Sequence, residues 1–283
     1  MASTRDTHDD PNAGARSTIR GFVHARSSDR VVLAPDTASA VCVVTDAAPG
    51  ESVVLDLEAE LTGGRHAGVP GSRVVPAHVD LTTTMAALER ELAAWPTALL
   101  VVPAVARTTG EVLPLSKLAA MAHRHHARLL VDGTELAARR VINLTSHGAD
   151  YVVLAGRQPA GNGPAAVVGR ADWMTGVSDS TADPAALRGV AQACEAVADL
   201  GFEWIGLHEQ ALSDVLDEAL GRLPGTRRLQ LWADVTDRVG IASVAVAGRD
   251  DPVRLRWGFG TGHNELALQL DSLADVVFEQ EKS

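Results

Sequence analysis

Seven short runs along this chain are apolar on consecutive residues and rich in valine and leucine: VVLAP (31–35), SVVLDL (52–57), SRVVPA (72–77), ALLVVPA (98–104), ARLLVDG (127–133), DYVVLAG (150–156) and AAVVGR (165–170). A strand with one wet face alternates apolar and polar residues. Runs without alternation bury both faces, as strands do in a mostly parallel sheet covered by helices. Helical stretches lie between them. TTTMAALERELAAW (82–95) has apolar residues at 85, 88, 92 and 95, and PLSKLAAMAHRHHA (114–127) begins with proline in its first turn. The expected class is α/β, with a mostly parallel seven-stranded sheet.

A different regime starts near residue 181. Asp183-Pro184 supplies an N-cap followed by proline at the first helical position. A long helix then runs to Gly201, and a second stops at Pro224-Gly225. Two strand-like runs follow, GIASVAVAG (240–248) and VRLRWGFG (253–260), joined by a tight RDDP turn. A helix, HNELALQLDSLADVVFEQ, completes the pattern. The expected division is a polar, disordered tail over 1–14, a large α/β domain over 15–180 and a smaller α+β domain over 181–283.

Composition excludes several functions. The formal net charge of −11 argues against general affinity for nucleic acid or anionic membranes. No apolar run is long enough to span a bilayer. MASTRDTHDDPNAG has no apolar core of a signal peptide. Two cysteines, Cys42 and Cys194, make neither a disulfide framework nor a zinc site, which suits a reducing cytoplasm. His123, His125 and His126 crowd one helix end, but 125 does not share the face of 123 and 126, so no metal site is expected. AGNGPAAVV lacks the GxGxxG spacing and reads as a hairpin-like turn between strands. Lysine and arginine together number 25, yet only Lys117 and Lys282 are lysine, so any chemistry needing a lysine amine has two candidates.

The stretch from 108 to 156 carries a pattern of its own: Thr109-Gly110, Pro114, Val131-Asp132-Gly133, Gly148-Ala149-Asp150 and Ala155-Gly156-Arg157-Gln158. In order and spacing it resembles the class V aminotransferases, the group containing the cysteine desulfurases. LGFEWIGLHEQAL (200–212) and VRLRWGFGTGHNELALQLDSL resemble that family's inter-domain helix and its last strand and helix. The resemblance implies the fold type I pyridoxal-phosphate transferase fold with a shortened C-terminal domain. It also implies a dimer whose sites draw on both subunits.

The resemblance carries over only in part at the level of residues. Asp132 matches the carboxylate that pairs with the cofactor's pyridine nitrogen. Glu135 stands where the family has a glutamine near the phenolic oxygen. Glu58-Ala59-Glu60 replaces a motif whose histidine stacks on the ring, and Arg107 replaces an asparagine. PDTASA resembles the phosphate loop, with Thr37 or Ser39 as its hydroxyl, but Asp36 takes the glycine position. Ala155 and Arg157 replace phosphate-contacting serine and histidine, and Gln158 stands at the Schiff-base lysine. An amide nitrogen has a delocalised lone pair and cannot form an imine. Arg254 matches the arginine that holds the substrate carboxylate. Only about fifteen ordered residues, beginning at Ala15, are expected before the first strand and its helix, where the family has a longer arm. RDDP replaces the long loop that bears the reactive cysteine in desulfurases.

No pyridoxal phosphate is therefore expected in covalent linkage. Three readings follow. The chain is a pseudoenzyme, homodimeric or paired with an intact relative, whose former cofactor pocket is filled by its own ion pairs or binds a small anionic ligand at Arg107 and Arg157. Alternatively, it is a cofactor-independent enzyme in which Asp132 or Glu135 is the general acid or base beside those arginines. The third reading is a pyridoxal-phosphate enzyme.

Overall fold

The structure, a computed structural model, describes residues 12–58, 69–155, 163–177, 184–258 and 262–280. All seven runs are strands: β1 (Arg30–Ala34), β2 (Ser52–Asp56), β3 (Arg73–Pro76), β4 (Leu99–Pro103), β5 (Arg128–Asp132), β6 (Tyr151–Ala155) and β7 (Ala165–Gly169). They form one sheet in the order β1-β7-β6-β5-β4-β2-β3. β7 runs antiparallel to both its neighbours, and the other pairs are parallel. The β6–β7 pairing agrees with the hairpin reading, although most of the connecting turn lies outside the described residues.

Both faces of the sheet are covered. Val31 and Leu33 of β1 enter one core cluster while Val32 and Ala34 enter the other, and Leu129 and Val131 of β5 are divided from Leu130 in the same way. The first cluster also takes apolar residues of α1 (Ala13–Phe22), α3 (Leu81–Ala94), α4 (Leu115–Arg124), the short α5 (Leu144–His147) and α6 (Pro184–Leu200). The second takes Ala40, Val41 and Val44 of α2 (Thr37–Thr45), with Met174. α1 starts at Ala13, inside the segment assigned to the polar tail. It is held there because Ile19 and the following Val23 are fully buried, and Phe22 meets Phe202 with ring centroids 6.0 Å apart.

Gly201, at a φ of +78°, separates α6 from α7 (Phe202–Arg222). Beyond α7 a three-stranded antiparallel sheet has the order β10-β9-β8, from β8 (Thr226–Arg228), β9 (Ile241–Val246) and β10 (Val253–Arg256). With α8 (His263–Gln280) and α7 it encloses a third core around Leu212, Leu216, Val244, Leu255, Trp257 and Leu273. Leu187, Val190, Ala191 and Cys194 of α6, and Trp232, Val239 and Ile241 further on, pack instead into the first cluster of the large sheet. The chain therefore passes back onto the first core after residue 181. No described helix is long and apolar enough to cross a membrane.

Candidate functional site

Strand register sets the site. Pro103 of β4 pairs with Asp132 of β5, Asp132 with Val153 of β6, and Ala155 with Ala165, which also pairs with Ala34 of β1. The C-terminal ends of β1, β4, β5 and β6 thus share one edge of the sheet, where open α/β sheets bind ligands. Asp132 is the last residue of β5, and Thr37 and Ser39, Arg107 and Glu135 lie just beyond the ends of β1, β4 and β5 respectively.

The charged residues at this edge are already partnered. Arg107 Nη2 donates to Asp132 Oδ2 at 2.9 Å, and the Thr134 backbone N–H donates to Asp132 Oδ1 at 3.1 Å. Both oxygens of that carboxylate are therefore engaged. Glu135, three residues on, has a different arginine partner from Asp132. It accepts from Arg256 Nη1 at 2.9 Å, a contact that the sequence reading did not foresee. β10 explains the choice: Leu255 points into the third core, which leaves Arg254 and Arg256 together on the opposite, exposed side. Arg254, the residue matched to a substrate carboxylate, is exposed on β10 and has no ion pair among the described residues. Glu58 accepts from both the backbone N–H (3.2 Å) and the hydroxyl of Thr108, and so ties the end of β2 to the turn after β4. Arg157 and Gln158 lie outside the described residues, as do Ala59 and Glu60.

Asp36 is the N-cap of α2. Its carboxylate accepts from Ser39 N at 2.7 Å, and the hydrogen bonds from Ser39 hold its carboxyl below the usual carboxylate range. An N-terminus capped by its own carboxylate is a poor seat for a phosphate, because the helix end already faces a negative charge. Asp36→Ala is expected to lower stability by about 1 kcal/mol through loss of this cap. A urea unfolding midpoint checks it, and an unchanged midpoint would mean that the cap is dispensable.

The remaining candidates give no chemistry. His123 bonds Asp150 at 2.8 Å and His125 bonds Glu89 at 2.7 Å, so the three histidines do not converge. No metal-binding group of side chains exists among the described residues. Burial pushes the Cys194 thiol up to about 12 and raises that of Cys42 as well, which disfavours a thiolate at either position.

Solved structures share this architecture. A NifS-like protein from Rickettsia africae superposes with a TM-score of 0.77 at 12% identity, over 94% of this chain and 87% of that one. A cysteine desulfurase from Thermococcus onnurineus in its apo form does so with a TM-score of 0.74 at 14% identity, over 94% and 83%. The fold is that of the fold type I pyridoxal-phosphate transferases. The chain belongs to the aminotransferase class-V family, whose profile matches residues 10–175. Among curated relatives, a probable cysteine desulfurase of Mycolicibacterium paratuberculosis is 26% identical over 83% of this chain. The alignment covers 40% of that relative, so the chain spans less than half of its length.

Proposed function

We propose that this chain is a class V aminotransferase-like protein that forms no internal aldimine and acts as a pseudoenzyme or non-catalytic partner subunit. The observation that carries the reading is the Arg107–Asp132 contact. A pyridine nitrogen bound at Asp132 would have to share the carboxylate with a guanidinium on one oxygen and the Thr134 N–H on the other, which weakens the pairing. Lysine content points the same way. Gln158 stands where the family resemblance puts the Schiff-base lysine. Lys117 is exposed on α4, a helix that covers the sheet, and Lys282 is the penultimate residue. Asp36 on the phosphate-side helix adds a third mismatch. The residues thus do not fit pyridoxal phosphate, and no step is assigned to it.

Ion pairs occupy the former cofactor pocket in this reading. A small anionic ligand would compete with Asp132 for Arg107. The cofactor-independent enzyme has less support, because Asp132 and Glu135 are each engaged by an arginine rather than poised as a free acid or base. The reading includes a cytoplasmic dimer, either of this chain alone or with an intact relative, and the division into a large domain over 15–180 and a small domain over 181–283.

The test is an absorbance spectrum of the purified protein with and without added pyridoxal phosphate, followed by borohydride reduction and mass analysis. No band near about 410–430 nm, where such imines absorb, and no reduced adduct are expected. An adduct on Lys117 or Lys282 would return the chain to the working pyridoxal enzymes.

A further inference from the structure

Away from the sheet edge, a polar cleft of about 220 Å³ opens between α7, β8 and the segment 236–240. Trp257 lies against one side, and Arg140, Arg228, Arg238, Ser213 and Thr236 are among its walls. The volume is below the roughly 300–1,000 Å³ typical of sites for drug-sized ligands, so an occupant must be small.

The charges in and behind these walls do not cancel. Arg139, Arg140, Arg228 and Arg238 face three carboxylates, Glu111, Glu209 and Asp217. Two of the carboxylates already hold arginines, although Glu111 Oε2 is buried with no hydrogen-bond partner of its own. Glu209 is shared by Arg139 and Arg140, and the fully buried Glu111 receives Arg238 at 3.2 Å. Arg228 is left with a weak claim. Its side chain is only 16% exposed, and its ion pair is a single 3.5 Å approach to Asp217, which is itself 61% exposed.

Arg228 Nε is buried and has no hydrogen-bond partner. A buried donor without an acceptor costs free energy, and a buried guanidinium more so. Burial and the like charge of Arg238 push the Arg228 guanidinium below its usual value, against the pull of Asp217 and Glu111. Arg238 uses one nitrogen, Nη2, for its contacts with both Glu111 and the Val235 carbonyl. The Arg228 guanidinium lies 5.6 Å from the centroid of the Trp257 ring, within cation–π range. Two neighbouring arginines with spare planar donors, beside the hydroxyls of Ser213 and Thr236, form a fork for a tetrahedral or planar oxyanion.

We propose that this cleft binds a small oxyanion, a phosphate or a carboxylate, between Arg228 and Arg238. The site is separate from the sheet edge and does not depend on the pseudoenzyme reading. The cleft is built jointly by α7 and β8 of the C-terminal region and by Arg140, which follows β5. Its occupant would therefore brace one part of the chain against the other.

The experiment is calorimetric titration of the full chain with inorganic phosphate and, separately, with malonate, at a chloride ionic strength held constant. Saturable binding of at least one probe is expected, and the tighter of the two names the chemistry. At a hundredfold excess over Kd, the thermal midpoint should rise by about 5 °C. Arg228→Gln should weaken binding about tenfold or more. Asp217→Asn, a change at an exposed position that should not disturb folding, should tighten it about two- to fivefold by removing the competing carboxylate. Failure of both probes to bind would overturn the proposal, as would equal affinity in the Asp217→Asn protein. Binding that survives Arg228→Gln but vanishes in Arg107→Gln would place the anion at the sheet edge, with the same consequence.

Discussion

Glu209→Ala is expected to lower the stability of this protein by about 3–5 kcal/mol, the usual cost of leaving a buried charge without its partner. Glu209 lies on α7 in line with the buried Ile205, Leu212 and Leu216, and is 3% exposed. It survives there because every part of its carboxylate is used. Oε1 takes Arg139 and the Gly240 backbone N–H at 3.0 Å, and Oε2 takes Arg140 at 3.0 Å. Arg139 also donates to the Trp257 carbonyl at 2.7 Å, and the Trp257 indole N–H donates to the Glu209 carbonyl at 3.2 Å. The cluster joins α7, the turn after β5 and one end of the small sheet, where the start of β9 meets the end of β10. Removing the carboxylate strands a largely buried guanidinium and an amide at once. Since domains have total stabilities of about 5–15 kcal/mol, the change should be plain in a urea titration. Arg140→Ala is the companion measurement. Arg140 is 34% exposed, and its loss leaves Arg139 on Glu209, so about 1 kcal/mol is expected. Equal losses in the two variants would show that the carboxylate is not the centre of the cluster.

Gly110→Ala should cost about 2–5 kcal/mol, from two sources that can be separated. Gly110 has a φ of +88°, where a Cβ is strained by about 1–2 kcal/mol. An added Cβ would also sit 2.6 Å from the Ile241 carbonyl oxygen and 2.8 Å from that of Val239. Those atoms are backbone and cannot swing aside, and overpacking of this kind adds about 1–3 kcal/mol. Gly71 provides the control. Its φ is +77°, but no atom lies within 4 Å of a Cβ built there. Gly71→Ala therefore measures the left-handed strain alone, and the difference between the two variants measures the contact. A difference near zero would mean that residues 239–241 can move away from Gly110. That result would contradict the close docking recorded by the Val239 N to Gly110 O hydrogen bond at 2.9 Å.

At the candidate site, the sequence named the participants better than it paired them. Arg107 and Asp132 were read as two members of a mixed-charge pocket, and register brings them together because Pro103 and Asp132 end adjacent strands. Glu135 was placed with the same group, yet its partner is Arg256, 121 residues further along the chain. No local signal could have supplied that pairing. VRLRW shows that Arg254 and Arg256 share a face, but not what that face meets. Glu209 and Glu111 were missed for a related reason. A carboxylate in an amphipathic stretch is normally assigned to the wet face, and only a tertiary partner makes its burial tolerable.

Local chemistry was enough to settle the seven strands, the helices at 81–94, 184–200 and 263–280, and the covering of both sheet faces. The reason is periodicity: runs without alternation need two covers, and the helical stripes between them supply those covers. Elements whose local signal is weak or contrary were decided by packing. TASAVCVVT is rich in β-branched residues, which favour strands. It is nevertheless the helix α2, because Asp36 caps it and Ala40, Val41 and Val44 fill the second face of the sheet. β8 is three polar or charged residues with no apolar pattern, and it is a strand because the edge of β9 accepts its hydrogen bonds. Sequence also determined that only two lysines, Lys117 and Lys282, exist in the chain. Which charge meets which was left to the tertiary structure, because an ion pair is a matter of distance between side chains, and distance across a sheet or between two cores is not written in spacing along the chain.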